Sequence, residues 1–85
     1  MSGPIDRLTE LGLTLPPVAA PVAAYVPAVR TGSLVFTAGQ LPFVDGALPA
    51  TGKVGAAVEP ADAAGLARIA ALNGLAAVAA EVGDL

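Results

Sequence analysis

Pro60 to Val82 form a 23-residue stretch without internal proline, bounded by Pro60 and by Gly83, and this stretch governs what the 85-residue chain can fold into. Its body is rich in Ala and Leu, which are strong helix formers. Pro60 suits the first helical position, Asp62 complements the positive end of the dipole, and Gly83 supplies a stop. One helix about 34 Å long is predicted. Leu66, Ile69, Leu72, Leu75, Val78 and Val82 recur at three- and four-residue spacing and read as its buried stripe, with Arg68 and Glu81 off it. Asn73 lies close to that stripe. A buried amide left without partners costs about 1–3 kcal/mol, so Asn73 is read as a structural hydrogen bond tying the helix to a neighbouring loop in preference to a catalytic group.

The rest of the chain offers little to cover such a helix. Residues 1–24 read as a short helix and a Pro/Ala-rich lead-in. The helix has Pro4 in its first turn, Ile5, Leu8 and Leu11 on one side and Gly12 as its stop. Leu13 to Ala24 reads as extended or polyproline-like, with a compositional echo in Pro17-Val18-Ala19-Ala20 and Pro21-Val22-Ala23-Ala24. Tyr25 to Arg30 and Leu34 to Ala38 are predicted to be two strands of a hairpin joined through Thr31-Gly32-Ser33. Pro27 falls inside the first of these and implies an edge or a bulge there. Gly39-Gln40-Leu41-Pro42 ends the second strand, Asp45-Gly46 signals a turn, and Pro49 to Ala57 reads as a loop with room for one short strand. The expectation is a single α+β domain over residues 1–85, a β-hairpin followed by a long helix packed on a sheet.

Composition limits its stability and its chemistry. Of the residues, 55% are hydrophobic, but 20 of these are Ala, leaving about 27 large apolar side chains for a core. A chain this short is expected to need oligomerisation, because it has no Cys for a disulfide and no Cys or His for an ordinary zinc site. The same absence removes thiolate nucleophiles and imidazole bases. Net charge is −3 with a pI near 4.4, and Arg7, Arg30, Lys53 and Arg68 are scattered, which argues against a nucleic-acid surface. The uncharged run from Leu11 to Val29 holds Pro16, Pro17, Pro21 and Pro27 and does not suit a membrane-spanning helix. The opening Met1-Ser2-Gly3-Pro4-Ile5-Asp6 lacks the basic and apolar regions of a signal peptide, so a cytoplasmic protein without membrane association is expected.

Few side chains suggest catalysis on their own. Ser2 or Ser33 has only Lys53 as a candidate activator, and Ser33 reads better as a turn hydroxyl. Gly52-Lys53 fails as a phosphate-binding loop, because Ala47 and Val54 stand where that motif needs Gly and Ser or Thr. The pairs Asp6 with Glu10, Glu59 with Asp62, and Glu81 with Asp84 read as solvated helix ends, and no metal site is assigned. The most loaded stretch is Thr37-Ala38-Gly39-Gln40-Leu41-Pro42. A Gly followed by an amide at a strand end lets backbone approach a ligand and offers both a donor and an acceptor.

The run from Pro21 to Pro42, with Tyr25, Val29, the Gly32 turn and the strand ending in Ala38-Gly39-Gln40-Leu41-Pro42, resembles the opening of the RidA/YjgF family. The resemblance continues through Thr51-Gly52-Lys53-Val54 and the long helix bearing Asn73, covering residues 15 to 85. It implies a chorismate-mutase-like α+β fold assembled as a homotrimer, with ligand sites in clefts between subunits. It further implies hydrolysis of reactive enamines and imines, such as 2-aminoacrylate, to 2-keto acids and ammonia without a cofactor. Other members are described as endoribonucleases or translation inhibitors. On this reading the ligand is a small imine or carboxylate, and Tyr25, Ala38, Gly39 and Gln40 contribute cleft surface.

Two departures from the family pattern follow. Ala38 replaces the Ser that precedes Gly-Gln, removing one cleft hydroxyl. The later strands that carry the family's substrate-binding Arg and acidic residue fall beyond Leu85, so the chain is expected to represent the N-terminal portion of such a fold. Arg30 lies in the hairpin on the wrong side of the motif and does not substitute. The second reading from the sequence is a non-catalytic oligomer of this fold that binds small carboxylates or serves as an interaction module.

Overall fold

The computed structural model describes residues 3–20 and 23–85; Met1, Ser2, Pro21 and Val22, and with them half of the second Pro-Val-Ala-Ala unit, lie outside the described residues. The order of elements is α1 (Pro4–Glu10), β1 (Ala28–Thr31), β2 (Leu34–Thr37) and α2 (Pro60–Val82). Pro4 opens α1, and its end is closed by two hydrogen bonds, from the Leu13 N–H to the Leu8 carbonyl at 2.8 Å and from the Gly12 N–H to the Thr9 carbonyl at 3.0 Å. That pair is the Schellman arrangement, and it turns the chain into the extended segment that follows.

β1 and β2 pair antiparallel, with Ala28 opposite Thr37, Val29 opposite Phe36, Arg30 opposite Val35 and Thr31 opposite Leu34. The first strand is shorter than its sequence suggests. Tyr25, Val26 and Pro27 precede it, because a ring without an N–H cannot donate to the ladder. Pro27 still contributes as an acceptor, its carbonyl taking the Ala38 N–H at 2.9 Å. The Gly32–Ser33 turn is steadied by Arg30, whose Nε donates to the Gly32 carbonyl at 3.3 Å. Side chains alternate across the sheet. Ala28 and Val35, both half-buried, lie on the side that α2 covers, while Val29, Leu34 and Phe36 on the other side are each more than half exposed.

Beyond β2 the chain has no further extended strand among the described residues. Val44 and Ala47 form a two-bond bridge around the Asp45–Gly46 turn, with Asp45 at φ 52° and Gly46 at φ 80°. Left-handed angles at both positions are what a tight two-residue hairpin of the Asp-Gly type demands. The following loop closes on itself through Lys53, whose carbonyl accepts from Ala56 and Val58, both at 3.1 Å. Gly52 is compelled there: its φ is 132°, and an added Cβ would lie 2.6 Å from Ala57 Cβ.

α2 matches its sequence limits but not its expected buried face. The fully covered residues are Asn73, Ala76 and Ala77; Leu66, Ile69, Leu72, Val78 and Val82 are half-buried, and Leu75 is 38% exposed. Small side chains let the helix come close to the sheet, so the Ala side faces inward and the larger aliphatic residues flank it. The fully buried apolar set is small, Val58, Ala76 and Ala77 among the described residues. By length and composition alone α2 is also long and apolar enough to cross a membrane. Here its Asn73 side is committed to the loop after β2.

Candidate functional site

The segment from Ala38 to Phe43 leaves the end of β2 and passes over the middle of α2 as an irregular strap. Its course is fixed by one side chain. Asn73 is 2% exposed, and its Nδ2 donates to the Leu41 carbonyl at 3.0 Å and to the Phe43 carbonyl at 3.2 Å. Phe43 N–H donates back to the Leu41 carbonyl at 2.8 Å, tightening the strap between these two anchor points. A buried amide with partners is stabilising, whereas carbonyls stripped of them are not, so the helix and strap form a mutually dependent pair.

The four residues singled out by sequence fall close to one another along the chain but differ in placement. Ala38 is half-buried and still bonded to Pro27; Gly39 is exposed. Gln40 is half-buried, and its Nε2 makes one long bond to the Ala38 carbonyl at 3.4 Å. Neither Gly39 nor Gln40 gives its backbone N–H to a backbone acceptor among the described residues. Tyr25 stands before β1, 40% exposed, with its N–H on the Ala23 carbonyl at 2.9 Å. The strap thus presents two consecutive main-chain donors and a side-chain amide, a set suited to a carboxylate or a carbonyl.

An apolar groove of about 640 Å³ opens beside the strap, between residues 14–20, the Val44–Ala47 turn, and Ile69 and Leu72 of α2. None of Tyr25, Ala38, Gly39 and Gln40 lines it. Its lining includes no cation and one carboxylate, Asp45, which makes it a poor seat for an acidic ligand. The groove therefore lies beside the Gly39–Gln40 end of the strap without including it, and the two meet at Phe43 and Asn73. The role of Gly74, whose added Cβ would sit 3.8 Å from Gln40 Cγ, is not apparent in the sequence reading. The available signal was a glycine in a helix interior, where a packing reason commonly explains it.

The family described as "YjgF/chorismate mutase-like, putative endoribonuclease" matches residues 5–85. The chain belongs to this family. Protein TCP17 of Trypanosoma cruzi is 37% identical over 79 residues, spanning 93% of this chain and 49% of that protein. The crystal structure of a protein from Shewanella oneidensis described as a "putative endoribonuclease" superposes with a TM-score of 0.90 at 36% identity, covering 99% of this chain and 56% of that one. An Agrobacterium tumefaciens protein of unknown function gives a TM-score of 0.77 at 43% identity, with 95% and 48% covered. This YjgF-family chain thus spans about half the length of these relatives. The chorismate-mutase-like α+β fold expected from the sequence is the fold found, with the hairpin and long helix in the corresponding places.

Proposed function

We propose that the protein carrying these residues is a cofactor-independent deaminase of reactive enamines and imines, and that the Ala38–Phe43 strap is one wall of its site. The observation that carries this reading is the pair of uncommitted N–H groups at Gly39 and Gln40 beside the Gln40 amide, in a member of the YjgF family. A 2-aminoacrylate-type substrate first accepts a proton at its terminal carbon, becoming an iminium. Water then attacks the C=N carbon, and the tetrahedral adduct releases ammonia as its C–N bond breaks and the ketone forms. The two main-chain donors hold the substrate carboxylate, and the Gln40 amide orients the water or the substrate nitrogen. Ala38 has no hydroxyl to move a proton, so the proton comes from solvent or from residues outside this stretch.

The opposite wall, with the cation that pairs with the carboxylate, is proposed to come from further strands or from a neighbouring subunit of a homotrimer. Arg30 does not serve, since its Nε is engaged at the turn end of the hairpin, away from the strap. The test is release of pyruvate and ammonia from 2-aminoacrylate generated in situ, compared with spontaneous hydrolysis. Acceleration in the wild type, falling at least tenfold in Gln40→Ala, is expected; a rate equal to the spontaneous one overturns the proposal.

A second reading, a non-catalytic binder of small carboxylates, is favoured by the absent hydroxyl at Ala38. Calorimetric binding of a 2-keto acid without turnover would select it. Ribonuclease action, suggested by the description of the family and of the Shewanella structure, has less support, because the four cations are scattered and Arg7 pairs with Glu10 at 3.2 Å.

A further inference from the structure

We propose that Asn73 and Gly74 act together as positioning residues for the candidate site: Asn73 fixes the main chain of the strap, and Gly74 sets where the Gln40 side chain lies. The inference rests on the deaminase reading for its functional consequence, but its structural content stands apart from it. Asn73 grips the Leu41 and Phe43 carbonyls and so anchors the strap just after the Gly39–Gln40 pair. One residue further along the helix, the missing side chain of Gly74 leaves the space beside Gln40, whose Cγ would be 3.8 Å from a Cβ at that position. A methyl group at 74 makes ordinary contact, whereas a longer side chain needs volume that Gln40 occupies.

Two adjacent helical positions therefore reach one short segment in different ways. The first holds its carbonyls and the second leaves room for its side chain. Gln40 makes only one long bond of its own, to Ala38, so little besides this packing defines its orientation. Gly in a helix interior costs about 1 kcal/mol relative to Ala. At Gly74 an added Cβ would be in ordinary contact with Gln40, which leaves no room for a longer side chain; at Gly65, in the same helix, nothing lies within 4 Å of an added Cβ.

The experiment compares Gly74→Leu, Gly65→Leu and Asn73→Asp, using turnover of 2-aminoacrylate and amide hydrogen exchange at Ala38 and Phe43, the strap residues whose N–H groups are bonded, to Pro27 and Leu41. In Gly74→Leu, kcat/KM is expected to fall at least tenfold with an unchanged thermal midpoint. Gly65→Leu should retain the wild-type value. Because the effect acts through Gln40, adding Gly74→Leu to Gln40→Ala should cause less than a further twofold loss. In Asn73→Asp, exchange at these two strap amides should quicken at least tenfold relative to the amides of β1. If the wild type turns over and Gly74→Leu matches it, the positioning inference is overturned while the deaminase reading stands. If the wild type does not turn over, the deaminase reading fails, and strap exchange alone decides. Unchanged exchange in both Asn73→Asp and Gly74→Leu then overturns the inference, and faster exchange at Ala38 and Phe43 in both sustains it.

Discussion

Asn73 donates its side-chain amide to the carbonyl of Leu41, a residue 32 positions earlier, and through that bond the middle of the long helix holds the segment that follows the hairpin. The same amide reaches Phe43 at 3.2 Å, so one side chain satisfies two carbonyls that no strand partner takes.

Loss of this clamp is expected to be costly. Asn73→Leu keeps a side chain of similar bulk but leaves the Phe43 carbonyl without its Asn73 donor and the Leu41 carbonyl with the Phe43 N–H alone, and should destabilise by about 2–3 kcal/mol. Asn73→Asp sets carboxylate oxygens against the two carbonyls and should cost at least as much. Urea unfolding monitored by circular dichroism measures both; a change below about 0.5 kcal/mol in either would show that the clamp is dispensable.

Gly65 offers the opposite case. It lies in the exposed part of α2 with nothing within 4 Å of an added Cβ. Gly65→Ala should raise stability by about 0.5–1 kcal/mol, since it removes backbone freedom from the unfolded chain without a steric cost. A drop in the denaturation midpoint would contradict this.

Gly52 is expected to tolerate no such exchange. With φ at 132° and Ala57 Cβ only 2.6 Å from an added Cβ, Gly52→Ala combines backbone strain with a clash. A loss of about 2–4 kcal/mol is expected from strain and overpacking together. The thermal midpoint should fall by several degrees, and a wild-type midpoint would refute the local geometry.

The uncovered sheet face makes assembly testable. Phe36 is 60% exposed and stands opposite Val29, with Leu34 on the same side. If the proposed homotrimer uses this face, Phe36→Lys should reduce the native mass, measured by light scattering after size exclusion, by at least twofold. An unchanged mass would place the assembly interface elsewhere.

The parts of this fold legible from sequence were those marked by residues with hard backbone rules. Pro60 and Gly83 delimited α2, and Asp45-Gly46 marked the bridge turn. Asn73 was legible as a tie to a loop because a buried amide must find partners. The inward face of α2 was not, for a physical reason: apolar residues surround the helix nearly all the way, so spacing carries no direction, and the side is chosen by Asn73 and by the small Ala76 and Ala77. The start of β1 was misplaced because aromatic and β-branched enrichment at Tyr25 and Val26 outweighed the lost donor of Pro27. At the candidate site, Gly39 and Gln40 were found through their position after a strand. Gly74 was missed because its neighbour lies 34 positions away in the chain, a relation that only the folded helix creates.

A sheet of two strands consists entirely of rims. β1 and β2 satisfy one another along their shared side, and each keeps an outer row of main-chain donors and acceptors that no strand among the described residues takes up. Such rows are templates for strand addition. A strand added along either rim, from the same protein or from another chain, would extend the sheet by the same main-chain bonds.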